Sequence, residues 1–191
     1  MILEAIITSV DASQQAHIAP FGVREHGELV VIAPFRPSIS LDNLLSSRSA
    51  VINLTDDVRI FAGALTGRRT WPVRPAERVS GYVLEAALAH RELELVEVKD
   101  DVLRPELYFR VVHEANHRPF RGFNRAQAAV IELSVLVSRL HMLPIDKIDN
   151  ELAYLSIAME KTAGEREMEA WRWLIEAVEN HRAAIRGDNQ A

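Results

Sequence analysis

Hydrophobic and polar positions alternate along the first half of the chain and change to a helical period in the second. Ile2 to Val10 is rich in β-branched residues and closes at Asp11-Ala12-Ser13, a turn signal. A second strand is expected through Ala16 to Val23, with the bend Glu25-His26-Gly27 leading into a third over Glu28–Ala33. Ser38 to Ser47 reads as a short helix with Leu41, Leu44 and Leu45 on one side. Ala50–Thr55 is a compact apolar strand, expected to be buried on both faces. Asp56 or Asp57 is placed to cap a helix carrying Val58, Ile60, Phe61 and Leu65, which Gly67 would stop. Gly81 to Val98 reads as a long strand region in which Leu93, Leu95 and Val96 alternate with Glu92, Glu94 and Glu97. That alternation predicts one buried face and one wet one. Its partner is Glu106 to Glu114, with Leu107, Phe109 and Val111 on one side.

From Asn124 onward the period is helical. Asn124 and Gln127 form a candidate N-cap pair for a helix over Ala126 to Met142, ended by Pro144. Asp146 or Asp149 starts a second helix through Leu152, Leu155 and Met159, ending near Gly164. A third aligns Met168, Trp171, Ile175, Val178 and Ile185 and stops at Gly187. Short strands linked by turns, with two small helices among them, predict an α+β, mainly β fold. The expected division is a closed or nearly closed barrel over residues 1–120 and a three-helix subdomain over residues 121–187, which packs on the barrel or on a dimer mate. Asp188 to Ala191 is expected to be disordered.

Composition narrows the function classes. A chain of 191 residues can bury a real core, and its 48% apolar and 26% charged residues are those of an ordinary globular protein. A net charge of −5 argues against a general nucleic-acid surface. Cysteine is absent, which removes disulfides, thiol nucleophiles and thiolate metal sites and is compatible with the cytoplasm. MILEAIITSV is broken by Glu4 and lacks a basic leader and a small-residue cleavage site. No run approaches the roughly 20 apolar residues needed to span a bilayer, so no membrane partner is expected and the protein is read as soluble and cytoplasmic.

The richest chemistry lies between His17 and Asp57. Arg36, Ser38, Ser40 and Asn43 cluster just before or within the first helix, and a helix start with such donors suits a phosphate, because its free N–H groups and dipole favour an anion. Ser40 and Asn43 also suit plain helix capping. His113 and His117 lie four apart, but on a strand running into a loop, with no convincing third ligand, so no metal site is expected. Trp71, Trp171 and Trp173 read as packing residues, with Trp71 in a loop the best exception. Arg68, Arg69 and Arg74 form either a solvated face or a surface for an anionic substrate.

The succession HIAPFGV, ELVVIAPFRPSISLDNL, AVINLTDD resembles the FMN-binding split barrel, a relative of flavin reductases and pyridoxine phosphate oxidases. With RPFRGFNRAQAAVIE and the helical tail added, essentially the whole chain is similar to the DUF447 flavoproteins. The resemblance implies FMN as cofactor and a homodimer with flavin near the subunit interface. It implies that Arg36, Ser38, Ser40 and Asn43 hold the flavin phosphate. Ala19, Pro20, Phe21, Gly22 and Val23 would then run beside the isoalloxazine ring, and Asn53, Thr55 and Asp56 would meet the ribityl chain or ring. Arg118, Asn124 and Arg125 would reach the phosphate in the same subunit or across the dimer. The phosphate loop has no lysine, so Arg36 or Arg125 supplies the charge. The function implied is an FMN-dependent oxidoreductase transferring hydride, because the flavin carries that chemistry and no nucleophile–base pair stands out. Two alternatives remain open, a non-catalytic flavin carrier and a similar barrel holding deazaflavin or haem. His17, His113 and His117 are the candidate haem ligands, although none sits in a recognisable haem motif.

Overall fold

The computed structural model describes residues 1–188, and the chain forms two compact units. The first comprises Met1–Asp56 and Arg69–Phe120; the second comprises Asp57–Arg68 and the chain from Arg121 on. Of the segment expected to be disordered, Asp188 is helical and residues 189–191 lie outside the described ones.

The first unit is a closed antiparallel barrel, as the alternating pattern predicts. Its strands are β1 (Ile2–Val10), β2 (Ala16–His26), β3 (Leu29–Ile32), β4 (Ser49–Leu54), β7 (Ala89–Lys99) and β8 (Glu106–Asn116), in the order β1-β2-β3-β8-β7-β4. Residues two apart share a face. Ala5, Ile7, Val30, Ile32, Ala50, Ile52, Leu93, Leu95, Leu107 and Phe109 therefore meet in one buried core. The β1–β2 turn forms as expected, with the Asp11 carboxylate accepting the N–H groups of Ser13 and Gln15 at 2.8 and 2.9 Å. The β2–β3 bend sits one step later than expected: β2 runs through His26, and Gly27 takes the turn with φ +62°. Only Arg24–His26 pair with β3, so the stretch from Ala16 to Val23 is laddered on its β1 side alone.

Helix α1 (Ile39–Ser47) packs Leu41 and Leu44 into the barrel core, whereas Leu45 points outward, contrary to the expected face. The expected single strand over Gly81–Val98 is interrupted. A small hairpin of β5 (Val73–Pro75) and β6 (Tyr82–Leu84) precedes a bend at residues 85–88, and β7 begins only at Ala89. Glu92 is not on a wet face; it is fully buried.

The second unit is helical. Helix α2 (Arg59–Leu65) joins α3 (Arg125–Val137), α4 (Ile145–Thr162) and α5 (Glu165–Asp188). Val58 and Ala62 share a core with Ala126, Val130, Leu133, Ile148, Leu155, Ala170, Leu174 and Val178. Asp57 does not cap α2 in the expected way; its carboxylate takes the Arg59 N–H at 3.3 Å and clamps the Arg59 guanidinium at 2.9 and 2.7 Å. Gly67, at φ +83°, ends the helix as predicted. Helix α3 stops at Val137, short of the expected Met142, and a 3-10 turn over Leu140–Met142 continues its apolar line through buried Leu140. Gln127 does not close a capping box; it donates to Glu167 at 3.1 Å. In α5 the buried line runs through Ala170, Leu174 and the expected Val178, with Trp171 and Ile175 partly buried against the same core and Met168 exposed, and the helix continues past Gly187 to Asp188. No described helix is long and apolar enough to cross a membrane.

Phe109 has no exposed surface and fills the barrel centre. Phe109→Ala is expected to destabilise the barrel by about 3–5 kcal/mol through the cavity it leaves, measured by urea unfolding. A change below about 1 kcal/mol would mean that the core closes over the gap.

Candidate functional site

Two polar clusters stand on the barrel unit. The first surrounds the start of α1. Ser38 is its N-cap and accepts the Leu41 N–H at 3.2 Å, which leaves the earliest N–H groups of the helix without intrahelical partners. Ser40 and Asn43 are buried on the inner side of the same helix. Ser9 and His17 are cross-strand partners on β1 and β2. Ser40 Oγ lies 3.0 Å from His17 Nε2, and Asn43 Nδ2 donates to Ser9 Oγ at 3.4 Å. Burial, reinforced by the nearby Arg69 charge, lowers the His17 pKa below its ordinary 6.5. The imidazole is therefore neutral at pH 7 and hydrogen-bonds without adding charge. Arg36 lies on the loop that enters the helix, with its guanidinium 2.8 Å from Asp100. Both side chains are exposed, so that ion pair is worth little and its cation is open to exchange.

Ala19, Pro20, Phe21 and Gly22 are half-buried along the one-sided stretch of β2, while Val23 is buried in the barrel core and Phe21 packs against it. Proline in a strand belongs where its missing donor faces an unpaired edge, which is where Pro20 sits. At Gly22 a Cβ would lie 2.7 Å from Cγ2 of the exposed Ile2 side chain on β1.

Asn53 and Thr55 have backbone partners of their own. Both belong to a series of outward side chains that fasten the residue 80–86 segment to the barrel. Ser49 Oγ donates to the Ser80 carbonyl at 2.7 Å, Thr8 Oγ1 donates to the Tyr82 carbonyl, Asn53 Oδ1 accepts the Leu84 N–H at 2.8 Å, and Thr55 Oγ1 donates to the Ala86 carbonyl at 3.0 Å. The Asn53 amide nitrogen in turn donates to the Ile6 and Val51 carbonyls, each at 3.3 Å. Asp56, half-buried, ends the same segment of the barrel unit. Arg118 reaches the Glu85 carbonyl at 3.2 Å, at the end of the strap. Asn124 caps α3, accepting the Ala126 N–H at 2.7 Å and donating to the Thr162 carbonyl at 3.1 Å. Arg125, exposed, opens α3 in the helical unit.

The second cluster was not legible in the sequence. His90 and Glu92 lie two apart on β7, both buried, and Glu92 pairs across the ladder with His113 of β8. Glu92 Oε1 accepts the Glu77 N–H at 2.7 Å, and Oε2 accepts those of Arg78 and Val79 at 2.6 and 3.0 Å. Burial alone would raise the Glu92 pKa, but these N–H donors together with His90 hold it below the usual carboxylate value. His90 Nε2 lies 3.2 Å from Glu92 Oε1, and His90 Nδ1 lies 2.8 Å from His117 Nε2. Arg74 stands 3.0 Å from that same His117 nitrogen. The His117 pKa is lowered, first by burial and then by Arg74, His90 and Arg118.

Two family models match the chain. One, described as the N-terminal domain of a protein of unknown function (DUF447), covers residues 3–118, and the other, described as protein of unknown function (DUF447), covers residues 124–176. Among solved structures, the chain is similar to an FMN-bound protein from Methanosarcina mazei matched by the same DUF447 model. The two are 19% identical over 92% of this chain and 94% of that one, with a TM-score of 0.80. Over 60% of this chain it is similar to the 2-nitrobenzoate 2-nitroreductase of Pseudomonas fluorescens, at 20% identity, 64% of that chain and a TM-score of 0.53. It is also similar to an FMN-binding protein from Thermus thermophilus, at 19% identity, 60% of this chain, 70% of that chain and a TM-score of 0.50. These likenesses show the fold, a flavin-binding split barrel.

Two outcomes are expected from this geometry. Asn53→Ala leaves the buried Leu84 N–H without its acceptor and should lower stability by about 1–3 kcal/mol in thermal unfolding. A variant as stable as the parent would detach Asn53 from the strap. For His17, a lowered folded pKa means that the unfolded chain binds the proton more tightly. Its contribution is therefore complete above pH 6.5 and is lost as the pH falls from there toward the lower folded value. His17→Gln should flatten the loss of stability below pH 6.5 relative to the parent; parallel pH profiles would contradict this.

Proposed function

Because the chain belongs to the DUF447 family, we propose that it is a flavoprotein that binds FMN and passes hydride through it to a substrate. The observation that supports this most is the likeness, over nearly the whole of both chains, to a protein that binds FMN.

The residues at hand fit such a group. The phosphate would lie at the start of α1, where first-turn N–H groups meet the hydroxyls of Ser38 and Ser40 and the amide of Asn43. Arg36, released from exposed Asp100, would supply the positive charge. Arg125 and Arg118 are the further cations proposed for the phosphate, from the same chain or from a second copy in a homodimer. The one-sided stretch Ala19–Val23 would offer backbone groups to the polar edge of the ring, and Pro20 would keep a strand from taking that place. Neutral His17 would hold Ser40 in position through their 3.0 Å hydrogen bond. When bound, the flavin accepts and donates hydride, and the protein orients it and excludes side reactions. The Arg68–Arg74 stretch borders the proposed substrate side, where its cations would draw an anionic substrate.

The absorbance of the purified protein measures flavin content directly. The parent is expected to carry or take up FMN, and Arg36→Ala and the Ser40→Ala/Asn43→Ala pair should each weaken that binding while leaving the circular dichroism unchanged. Equal FMN occupancy in these variants would remove the phosphate assignment. Anaerobic mixing with NADH or NADPH then reads turnover: bleaching supports the oxidoreductase, and a flavin that stays oxidised supports a carrier.

A further inference from the structure

We propose that His90, Glu92 and His113 form a binding site for a divalent transition metal ion of the zinc class. Their ligating atoms all lie within 4.8 Å of one another. Two imidazoles and one carboxylate make a familiar donor set for such ions, open at further positions. The proposal is independent of the flavin reading.

His90 Nε2 faces a Glu92 oxygen at 3.2 Å, with neither side chain exposed. In the tautomer that keeps the His90 hydrogen on Nδ1, toward His117 Nε2 at 2.8 Å, these two atoms present lone pairs that a cation would bridge. His113 adds a third lone-pair donor: its Nε2 is buried and has no hydrogen-bond partner among the described residues, with Glu77 Oε2 3.6 Å away. A buried ring nitrogen without a hydrogen-bond partner is free to ligate an ion.

The surroundings suit ligation. The second oxygen of Glu92 and one lone pair of the first are fixed by the N–H groups of Glu77, Arg78 and Val79, leaving one lone pair of Oε1 toward His90. In that tautomer His90 donates its single ring hydrogen, on Nδ1, to His117, the outer support usual for a metal-bound imidazole. The 3.2 Å spacing of His90 Nε2 and Glu92 Oε1 is already near the ~3.3 Å between adjacent ligands of a tetrahedral zinc. Only His113 must turn inward, and no hydrogen bond at its Nε2 resists that movement. The carboxyl of Glu77, largely exposed beside His113, is the nearest further donor.

The test treats the full-length protein with EDTA, removes the chelator and titrates zinc alone by calorimetry. One site per chain is expected. His113→Ala should weaken zinc binding by at least about tenfold, and His117→Phe, which removes only the outer support, by about 10–100-fold. Loss of the His113 ring leaves the Glu92 clamp intact, so both variants should keep the parent's circular dichroism; His113→Gln serves if the alanine variant does not fold. Equal zinc affinity in parent and His113 variants overturns the proposal, since the ion then sits elsewhere, and so does no binding at all.

Discussion

The Glu92 carboxylate, buried between β7 and the loop it holds, is the fixed point of the barrel's outer face. Removing a carboxylate from water costs several kcal/mol. Here the N–H groups of Glu77, Arg78 and Val79 return that cost as charge-assisted hydrogen bonds of about 1.5–3 kcal/mol each. Anchored at that end, the segment through Ala86 lies along β1 and β4 and is tied at every second residue by Ser49, Thr8, Asn53 and Thr55. The period of the strap matches the period of the strands beneath it, so one register satisfies all four ties. A slip by one residue would present the opposite set of backbone groups and break them together.

This fastening separates two kinds of polar residue that look alike in a sequence. The outward side chains of β4 serve the fold, and their hydrogen-bonding capacity is taken up by backbone. Around α1, by contrast, Ser40, His17, Asn43 and Ser9 contact one another, and the first turn of the helix keeps unpartnered donors. Both clusters stand on strands and helices rather than on loops alone, which holds their geometry closely enough for recognition.

Much of the fold was legible because burial imposes a period. Strands β1 and β8 and the helical change at Asn124 follow directly from it. What was not legible depends on pairing. Along β8, Leu107, Phe109 and Val111 face the core, and simple alternation would send His113 inward with them. The ladder shifts between Glu92 and Leu93, so that Leu93 pairs with Val111 but Glu92 pairs with His113. That extra residue turns the histidine to the other face, beside His90 and Glu92. Nothing local in the sequence marks it. Asn53 and Thr55 are ambiguous for a related reason: a polar residue in an apolar strand signals a partner without saying whether the partner is a ligand or the chain's own backbone. The end of α3 was hidden because Leu140 extends the apolar line through a different helix type.

Helix α2 has its place in the helical unit although it is encoded in the middle of the barrel. During synthesis from the N-terminus, Val58 and Ala62 leave the ribosome well before Ala126, Leu133 and Leu174, the residues that will cover them. For that interval the nascent chain carries an apolar helix with nothing to bury it. A chain cut short after its last barrel strand would leave Val58 and Ala62 without the later residues of that core.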